Sequence, residues 1–259
     1  MPFEYYFFLG TAFVLGSVIG SFLNVCIYRI PAGKSIVSPP SSCPHCGHRI
    51  RWFQNVPILS YLFLLGKCAG CGQQISLRYP LIEALTGGLF VLVLYSFGLI
   101  PATPVYWLFV AVLVVITFID LDHQIIPDVI SLPGIVVGFL CSFFIPWMPW
   151  LDSLLGILIG GGILFLIAWG YEFLTKREGM GGGDIKLLAM LGAFLGWKAI
   201  FPMVFLASLA GTVIGLPLMV LQKKDSKLAL PFGPFLALAA LVHLFWGGAI
   251  LDWYFHLFT

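Results

Sequence analysis

The sequence predicts an all-α integral membrane protein with about eight transmembrane helices and one small polar loop domain. Hydrophobic residues make up 60% of the 259 residues and charged residues only 9%, and the mean hydropathy is +1.04. Several apolar runs exceed the roughly 18 residues that mark a bilayer span. The net charge of +2 is small, and no basic face carries interleaved aromatic residues. We therefore expect the lipid bilayer as a partner and no nucleic acid.

Eight apolar runs are predicted to form helices. The first follows no basic region and precedes no small-residue cleavage site, so it is interpreted as a retained span rather than a signal peptide. The predicted ranges are 5–28, 80–99, 104–119, 129–146, 152–174, 184–197, 199–221 and 232–255. The sixth is unusual because its 14 residues cover only about 21 Å, less than a hydrocarbon core of about 30 Å.

The basic residues predict the orientation, since short cytoplasmic loops carry an excess of lysine and arginine. If the eight spans alternate, 12 of the 13 basic residues fall on one face and only Lys198 on the other. The 12 are Arg29, Lys34, Arg49, Arg51, Lys67, Arg78, Lys176, Arg177, Lys186, Lys223, Lys224 and Lys227. We therefore expect cytoplasmic basic loops and both termini outside.

The segment between the first two predicted spans has the cysteine spacing of a zinc site. Cys43 and Cys46 form one C-x-x-C pair, Cys68 and Cys71 form another, and glycine follows each pair directly. Four thiolates at this spacing suit tetrahedral Zn²⁺, which stabilises a small loop that lacks a core of its own. Four protein ligands leave no open position for water, so the metal is predicted to be structural.

Two alternatives remain open for this loop. The four cysteines could instead form two disulfides, but this requires an oxidising compartment, and six basic residues in the loop argue for the cytoplasm. His45 or His48 could also replace a thiolate as a ligand. Cys26 and Cys141 stand alone within predicted spans and are interpreted as small buried hydrophobic residues.

Two groups of carboxylates are predicted to meet at the cytoplasmic margin. "FIDLDHQIIPD" contains Asp120, Asp122 and Asp128 after the third span, and "GGGD" places Asp184 at the start of the sixth. Two neighbouring carboxyl groups cannot easily both ionise, so one keeps a proton while the other acts as a base on water. The glycines allow another chain to approach closely. This pattern indicates aspartic-protease chemistry.

Each of these acidic residues also has a structural explanation that involves no catalysis. Asp184 could be a helix N-cap, and Asp122 or Asp128 could cap a helix or be solvated in the loop. Glu83 and Glu172, near the ends of spans, could each cap a helix or make a buried hydrogen bond. From spacing alone, Asp120 and Asp122 cannot be separated as partners for Asp184.

The motifs, in their order, resemble the type 4 prepilin peptidases, membrane aspartyl proteases of bacterial pilus and type II secretion systems. The resemblance covers nearly the whole chain through "GSFLNVCIYRIP", the two cysteine pairs, "QISLRYPLIE", "IDLDHQIIPD" and "GGGDIKLL". It implies that the catalytic residues are Asp120 and Asp184, with Asp122 as the second choice for the first position. It favours catalysis over capping for Asp184.

The resemblance also implies substrates, cofactors and location. Members cleave the basic leader of prepilins and pseudopilins after a glycine, at the cytoplasmic face of the bacterial inner membrane. Many that carry the cysteine loop also methylate the new N-terminal amine with S-adenosylmethionine, and this chain keeps that loop. No glycine-rich fingerprint marks a site for the methyl donor, so the sequence assigns no residues to its binding.

The predicted organisation is a first transmembrane helix over 1–28, a cytoplasmic zinc-binding loop domain over 29–79 and a membrane-embedded aspartyl protease domain over 80–259. Three other classes of membrane protein are alternatives to an aspartyl peptidase. A transporter should carry acids deep within several spans, whereas these gather at one face. A zinc protease should carry His-Glu-x-x-His, which is absent from the sequence. A non-catalytic assembly factor would use the zinc loop only to bind a partner.

Overall fold

A computed structural model of the chain describes residues 3–176, 181–222 and 231–256. Within these ranges the chain is helical, and its only β-type pairing consists of two isolated bridges. The helices are α1 (Phe3–Arg29), α2 (Leu59–Phe63), α3 (Arg78–Phe97), α4 (Ala102–His123), α5 (Asp128–Cys141), α6 (Trp150–Thr175), α7 (Gly182–Leu195), α8 (Ile200–Gln222) and α9 (Gly233–His256). Short 3₁₀ turns lie at Trp52–Gln54, Ser142–Phe144 and Trp197–Ala199.

Six helices in the described ranges are long and apolar enough to cross a membrane: α1, α3, α4, α6, α8 and α9. Many of their apolar side chains are exposed; Phe165, Leu166 and Ile167, three consecutive residues of α6, are each more than half exposed. Exposed apolar surface of this kind favours a lipid surrounding. The expectation of eight spans is not confirmed, because α5 and α7 have 14 residues each.

Two helix ends differ from the predicted ranges. The third predicted span was to end at residue 119, but α4 continues to His123, so Asp120 and Asp122 are helical residues. The chain leaves this helix at Gln124, which has a left-handed φ of 54°. The helix α5 ends at Cys141 rather than 146 because Ile145, which precedes Pro146, is extended (φ −102°, ψ 105°).

The chain forms two compact units that divide between Val115 and Ile116, within α4. In the first unit α1 packs along α3. A Cβ atom at Gly16 would lie 2.8 Å from Gly87 Cα, and one at Gly20 would lie 2.8 Å from Glu83 Cα. The absence of side chains at this glycine pair therefore lets α1 and α3 pack closely. Asn24 closes the contact by donating from Nδ2 to the Tyr79 carbonyl, at 3.2 Å.

In the second unit the short helix α7 is the centre of the packing. Its residues 187–194 are all buried, and α5 and α6 lie against it. The backbones of Gly156 on α6 and Gly192 on α7 touch, so neither position has room for a side chain. Ser153 donates to the Ala193 carbonyl at 2.7 Å and fixes the same pair of helices. This packing holds the N-terminus of α7, and therefore Asp184, in place.

Of the basic residues used to predict the orientation, Arg177, Lys223, Lys224 and Lys227 lie outside the described residues.

Candidate active site and candidate metal centre

Asp120 lies in the last turn of α4 and is only 4% exposed. Its Oδ2 accepts a hydrogen bond of 3.0 Å from the backbone N–H of Gly233, the first residue of α9. A Cβ atom at Gly233 would lie 2.6 Å from that oxygen and 3.2 Å from Asp120 Cγ. Position 233 therefore has room for glycine only, and α9 sets where the Asp120 carboxylate sits.

Asp184 lies in the first turn of α7 and is half-buried. The N-cap is Gly181, three residues earlier, and it makes no side-chain cap hydrogen bond. The N-cap interpretation of Asp184 is therefore wrong. Its backbone N–H donates to the Gly181 carbonyl at 3.1 Å. The charge of Asp120 acts electrostatically on Asp184, so the two carboxylates lie near each other although they are 64 residues apart in the chain (184 minus 120).

One apolar residue packs beside both aspartates. Ile126 is buried in the turn between α4 and α5. A Cβ atom at Gly183, next to Asp184, would lie 3.0 Å from Ile126 Cβ, and one at Gly233 would lie 3.3 Å from Ile126 Cδ1. The side chain therefore sits against the backbone that positions each carboxylate, and it excludes water from that side of the pair.

The other two aspartates of the motif occupy different surroundings. Asp122 is exposed. Asp128, at the start of α5, accepts two hydrogen bonds of 2.7 and 2.8 Å from Lys186 Nζ, which lies two residues beyond Asp184. Both side chains of this ion pair are more than a third exposed, so its contribution to stability is at most about 1 kcal/mol. The pair joins the start of α5 to the first turns of α7.

The four cysteines of the loop between α1 and α3 converge on one point. Their sulfur atoms all lie within 4.8 Å of one another. Cys43 Sγ is 3.9 Å from Cys71 Sγ, and Cys46 Sγ is 4.0 Å from Cys68 Sγ. A tetrahedral zinc with Zn–S bonds of about 2.3 Å places its sulfurs about 3.8 Å apart. The cysteines are free thiols, so the two-disulfide alternative is not what the structure has.

Both cysteine pairs sit on the same type of turn. Cys43 N–H donates to the His48 carbonyl and Gly47 N–H to the Cys43 carbonyl, each at 2.9 Å. In the second turn Cys68 N–H donates to the Gln73 carbonyl at 2.8 Å, and Gly72 N–H donates to the Cys68 carbonyl at 2.9 Å. Each turn is closed by an isolated bridge, Ser42 with Arg49 and Lys67 with Gln74. Gly47 and Gly72 have φ of 69° and 72°, which explains the glycine after each pair.

Backbone donors at the second turn favour a thiolate. The N–H groups of Cys71 and Gly70 lower the pKa of the Cys68 thiol to about 6. The Gly70 N–H lies 3.4 Å from Cys68 Sγ. Zinc binds thiolates rather than thiols, so the turn is suited to the metal. The group that could hold a metal consists of the four cysteines and includes neither His45 nor His48, so the structure does not support a histidine in place of a thiolate.

Two contacts of these sites were not predicted from the sequence. Gly233 was not singled out, although a glycine followed by proline before an apolar run is a helix-start signal. Glu83 was expected to cap or to make a buried hydrogen bond, and it accepts the N–H of Ile58 at 2.7 Å from 25 residues away. The turn that brings Ile58 there has a left-handed φ of 61°, which nothing in the sequence indicates.

Two family models match the chain. Residues 14–97 match the bacterial peptidase A24 N-terminal domain, and residues 107–216 match the type IV leader peptidase family. No solved structure matches.

Several curated proteins are similar over most of the chain, and each bears the name prepilin leader peptidase/N-methyltransferase. The protein of Aeromonas hydrophila is 38% identical over 95% of this chain and 93% of its own length. That of Pseudomonas putida is 37% identical over 94% and 92%. That of Myxococcus xanthus is 44% identical over 79% and 61%. With this identity over nearly its whole length, the chain belongs to the prepilin leader peptidase/N-methyltransferase family.

Proposed function

We propose that this chain is a membrane aspartyl endopeptidase that removes the basic leader of type IV prepilins and pseudopilins, and that it also methylates the new N-terminus. The observation that carries the peptidase part is the pairing of Asp120 with Asp184. They come from different helices and lie within electrostatic reach of each other. The methyl-transfer part rests on the family and on the complete four-cysteine loop.

The two carboxyl groups share one proton during the reaction. The ionised one takes a proton from a water molecule as the water oxygen attacks the scissile carbonyl carbon. The protonated one gives its proton to the leaving nitrogen as the C–N bond breaks, so the pair returns to its starting protonation. The Gly233 N–H holds one oxygen of Asp120 in place beside Asp184.

The substrate follows from the chemistry of the site and from the family. Cleavage after a glycine requires backbone access, and Gly181–Gly183 offer a surface without side chains beside Asp184. We place the pair at the cytoplasmic face, with basic loops inside and both termini outside. A basic leader then remains in the cytoplasm while the apolar pilin helix stays in the bilayer.

The methyl transfer moves one methyl group from a sulfonium donor to the cleaved chain. The amine nitrogen at the new N-terminus attacks the methyl carbon of S-adenosylmethionine, and the C–S bond breaks with its electron pair going to sulfur. The products are a methylated amine, a neutral thioether and one proton, which leaves to water.

The organisation we propose keeps the three predicted regions: a first span over 1–28, a cytoplasmic loop domain over 29–79 and a membrane-embedded protease domain over 80–259, in the bacterial inner membrane. Cys43, Cys46, Cys68 and Cys71 hold a structural zinc, since four thiolates fill its coordination. The helices α5 and α7 also lie at membrane depth, as short elements. The complete burial of residues 187–194 supports this for α7, because a covered helix need not match the bilayer thickness.

Cleavage of a prepilin peptide by the protein in lipid nanodiscs tests the peptidase assignment. Asp120→Asn and Asp184→Asn should each lower kcat by about 10³-fold or more, whereas Asp122→Asn should stay within a few-fold of the wild type. Mass spectrometry of the product reports the cleaved bond and the added methyl group. Loss of cleavage in Asp122→Asn with retention in Asp120→Asn would reverse the assignment. Cleavage by a protein with both aspartates changed to asparagine would remove it.

A further inference from the structure

A large cavity lies in the first unit. Its volume is about 780 Å³, within the range of roughly 300–1,000 Å³ that small-molecule sites occupy. It is bounded by the last two turns of α1, by the cysteine-containing loop and by the first residues of α3. No residue that we propose for peptide cleavage lines this space, whereas two of the zinc ligands, Cys43 and Cys68, form part of its wall.

One buried acid lines the cavity. Glu83 is 8% exposed and is the only Asp or Glu among the described lining residues. Its carboxylate accepts hydrogen bonds from the Ile58 N–H, at 2.7 Å, and from the Ser21 hydroxyl. Both of these donors are neutral, so they leave the negative charge to attract a cationic ligand group.

Two basic residues line the same cavity nearer to solvent. The Arg29 guanidinium donates to the carbonyls of Ser35 and Pro39, at 2.9 and 2.7 Å, and so braces the segment that forms one wall. Lys34 Nζ lies 5.5 Å from the centre of the Tyr28 ring and is exposed. The lining therefore places negative charge in the interior and positive charge towards solvent.

An unsatisfied polar atom also belongs to this wall. His48 Nε2 is buried and has no hydrogen-bond partner among the described residues, and His48 lines the cavity. Buried ring nitrogens are normally paired, so a polar ligand atom would complete this one. Tyr28, Tyr61 and Tyr79 line the cavity as well and offer aromatic surface to a flat base.

We propose that this cavity binds the methyl donor, with the Glu83 carboxylate beside the sulfonium group of S-adenosylmethionine. The ligand carries a cationic centre, an α-carboxylate and a purine nucleoside. These match, respectively, the buried acid, the exposed Lys34 and the aromatic wall with His48. The proposal rests on the methyltransferase activity proposed above. It gives Glu83 a binding role and leaves peptide cleavage to the aspartates.

Calorimetric binding to the purified protein in nanodiscs tests the site with two ligands that differ in charge. S-adenosylmethionine carries the sulfonium, and S-adenosylhomocysteine is the same molecule with a neutral thioether. Glu83→Gln keeps the shape and an acceptor oxygen for Ile58. We expect it to weaken S-adenosylmethionine about tenfold and S-adenosylhomocysteine less than threefold. Retained affinity for S-adenosylhomocysteine shows within the same experiment that the variant is folded.

Two further variants complete the design. Ser60→Trp fills the cavity from α2 and should abolish binding of both ligands. Glu172→Gln removes an exposed acid of α6 outside the cavity and should change neither affinity.

The outcomes distinguish an error in the proposed binding site from an error in the proposed methyltransferase activity. The proposed binding site is wrong if Glu83→Gln binds S-adenosylmethionine as tightly as the wild type does, or if it loses affinity equally for both ligands. In either case the proposed methyltransferase function stands as long as the wild-type protein methylates the peptide. A wild-type protein that cleaves prepilin but neither methylates it nor binds either ligand overturns both.

Discussion

Replacing Gly233 by alanine tests whether the position of the Asp120 carboxylate controls cleavage. The new Cβ atom would lie 2.6 Å from Asp120 Oδ2, whereas ordinary van der Waals contact begins at 3.4 Å. The oxygen must therefore retreat by about 0.8 Å, because the Cβ is rigidly attached to the backbone of α9. Movement of the Cβ atom towards Ile126 is limited, because Ile126 Cδ1 would be only 3.3 Å from it.

A displacement of this size predicts a large kinetic effect. Misplacing a catalytic group by about 1 Å can cost about 10²-fold in rate, so we expect Gly233→Ala to lower kcat by about 10²-fold. Gly233 does not have a left-handed φ, so alanine introduces no backbone strain of its own. The free energy of unfolding should fall only modestly, by about 1–3 kcal/mol, which is the cost of mild overpacking.

The assay is steady-state cleavage of a prepilin peptide in nanodiscs, with methylation of an already cleaved peptide measured on the same preparation. The matched control is Gly248→Ala in the same helix, where a Cβ atom would meet no other atom within 4 Å. Gly233→Ala should lose cleavage and keep methylation, and the control should keep both. Wild-type cleavage in Gly233→Ala would refute the argument, as would equal losses in the two variants.

The other predictions concern the metal and the helix packing. Cys68→Ser should lower bound zinc, measured by elemental analysis, from about one ion per chain to a small fraction, because three thiolates leave the coordination incomplete. Cys141→Ser, outside the cluster, should keep the metal, and equal loss in both variants would contradict the assignment. Gly156→Ala should lower the free energy of unfolding by about 1–3 kcal/mol, because its Cβ would collide with the Gly192 backbone. Gly162→Ala in the same helix meets nothing within 4 Å, so a thermal melt that shows equal effects would count against tight α6–α7 packing.

The cysteine site was the most predictable part of the molecule. Each C-x-x-C-G turn is built from local hydrogen bonds within a few residues, such as that from Gly47 N–H to the Cys43 carbonyl, so its spacing is visible in the sequence. The convergence of the two turns follows from metal chemistry, which requires four ligands at one point. The S–S distances of 3.9 and 4.0 Å agree with that prediction.

The helices were predictable in position but less so in extent. Apolar runs place them to within a few residues because hydropathy is averaged over many side chains. Where α4 ends depends on a single left-handed residue, Gln124, and this decides that Asp120 lies on a helix rather than in a loop. The predicted number of spans is not confirmed, because α5 and α7, although apolar, have only 14 residues each.

The sequence by itself determined that this chain is helical and membrane-embedded, that it carries four thiols at the spacing of a metal site, and that Asp120, Asp122 and Asp184 were the candidates for catalysis. Tertiary structure alone decided that Asp120 is buried against Gly233 within reach of Asp184, whereas Asp122 is exposed. It also decided that Glu83 lines a cavity. The physical reason is that hydropathy and turn chemistry are local properties of neighbouring residues. The environment of a carboxylate is set by helices that are far away in the chain and that meet it only in the packed protein.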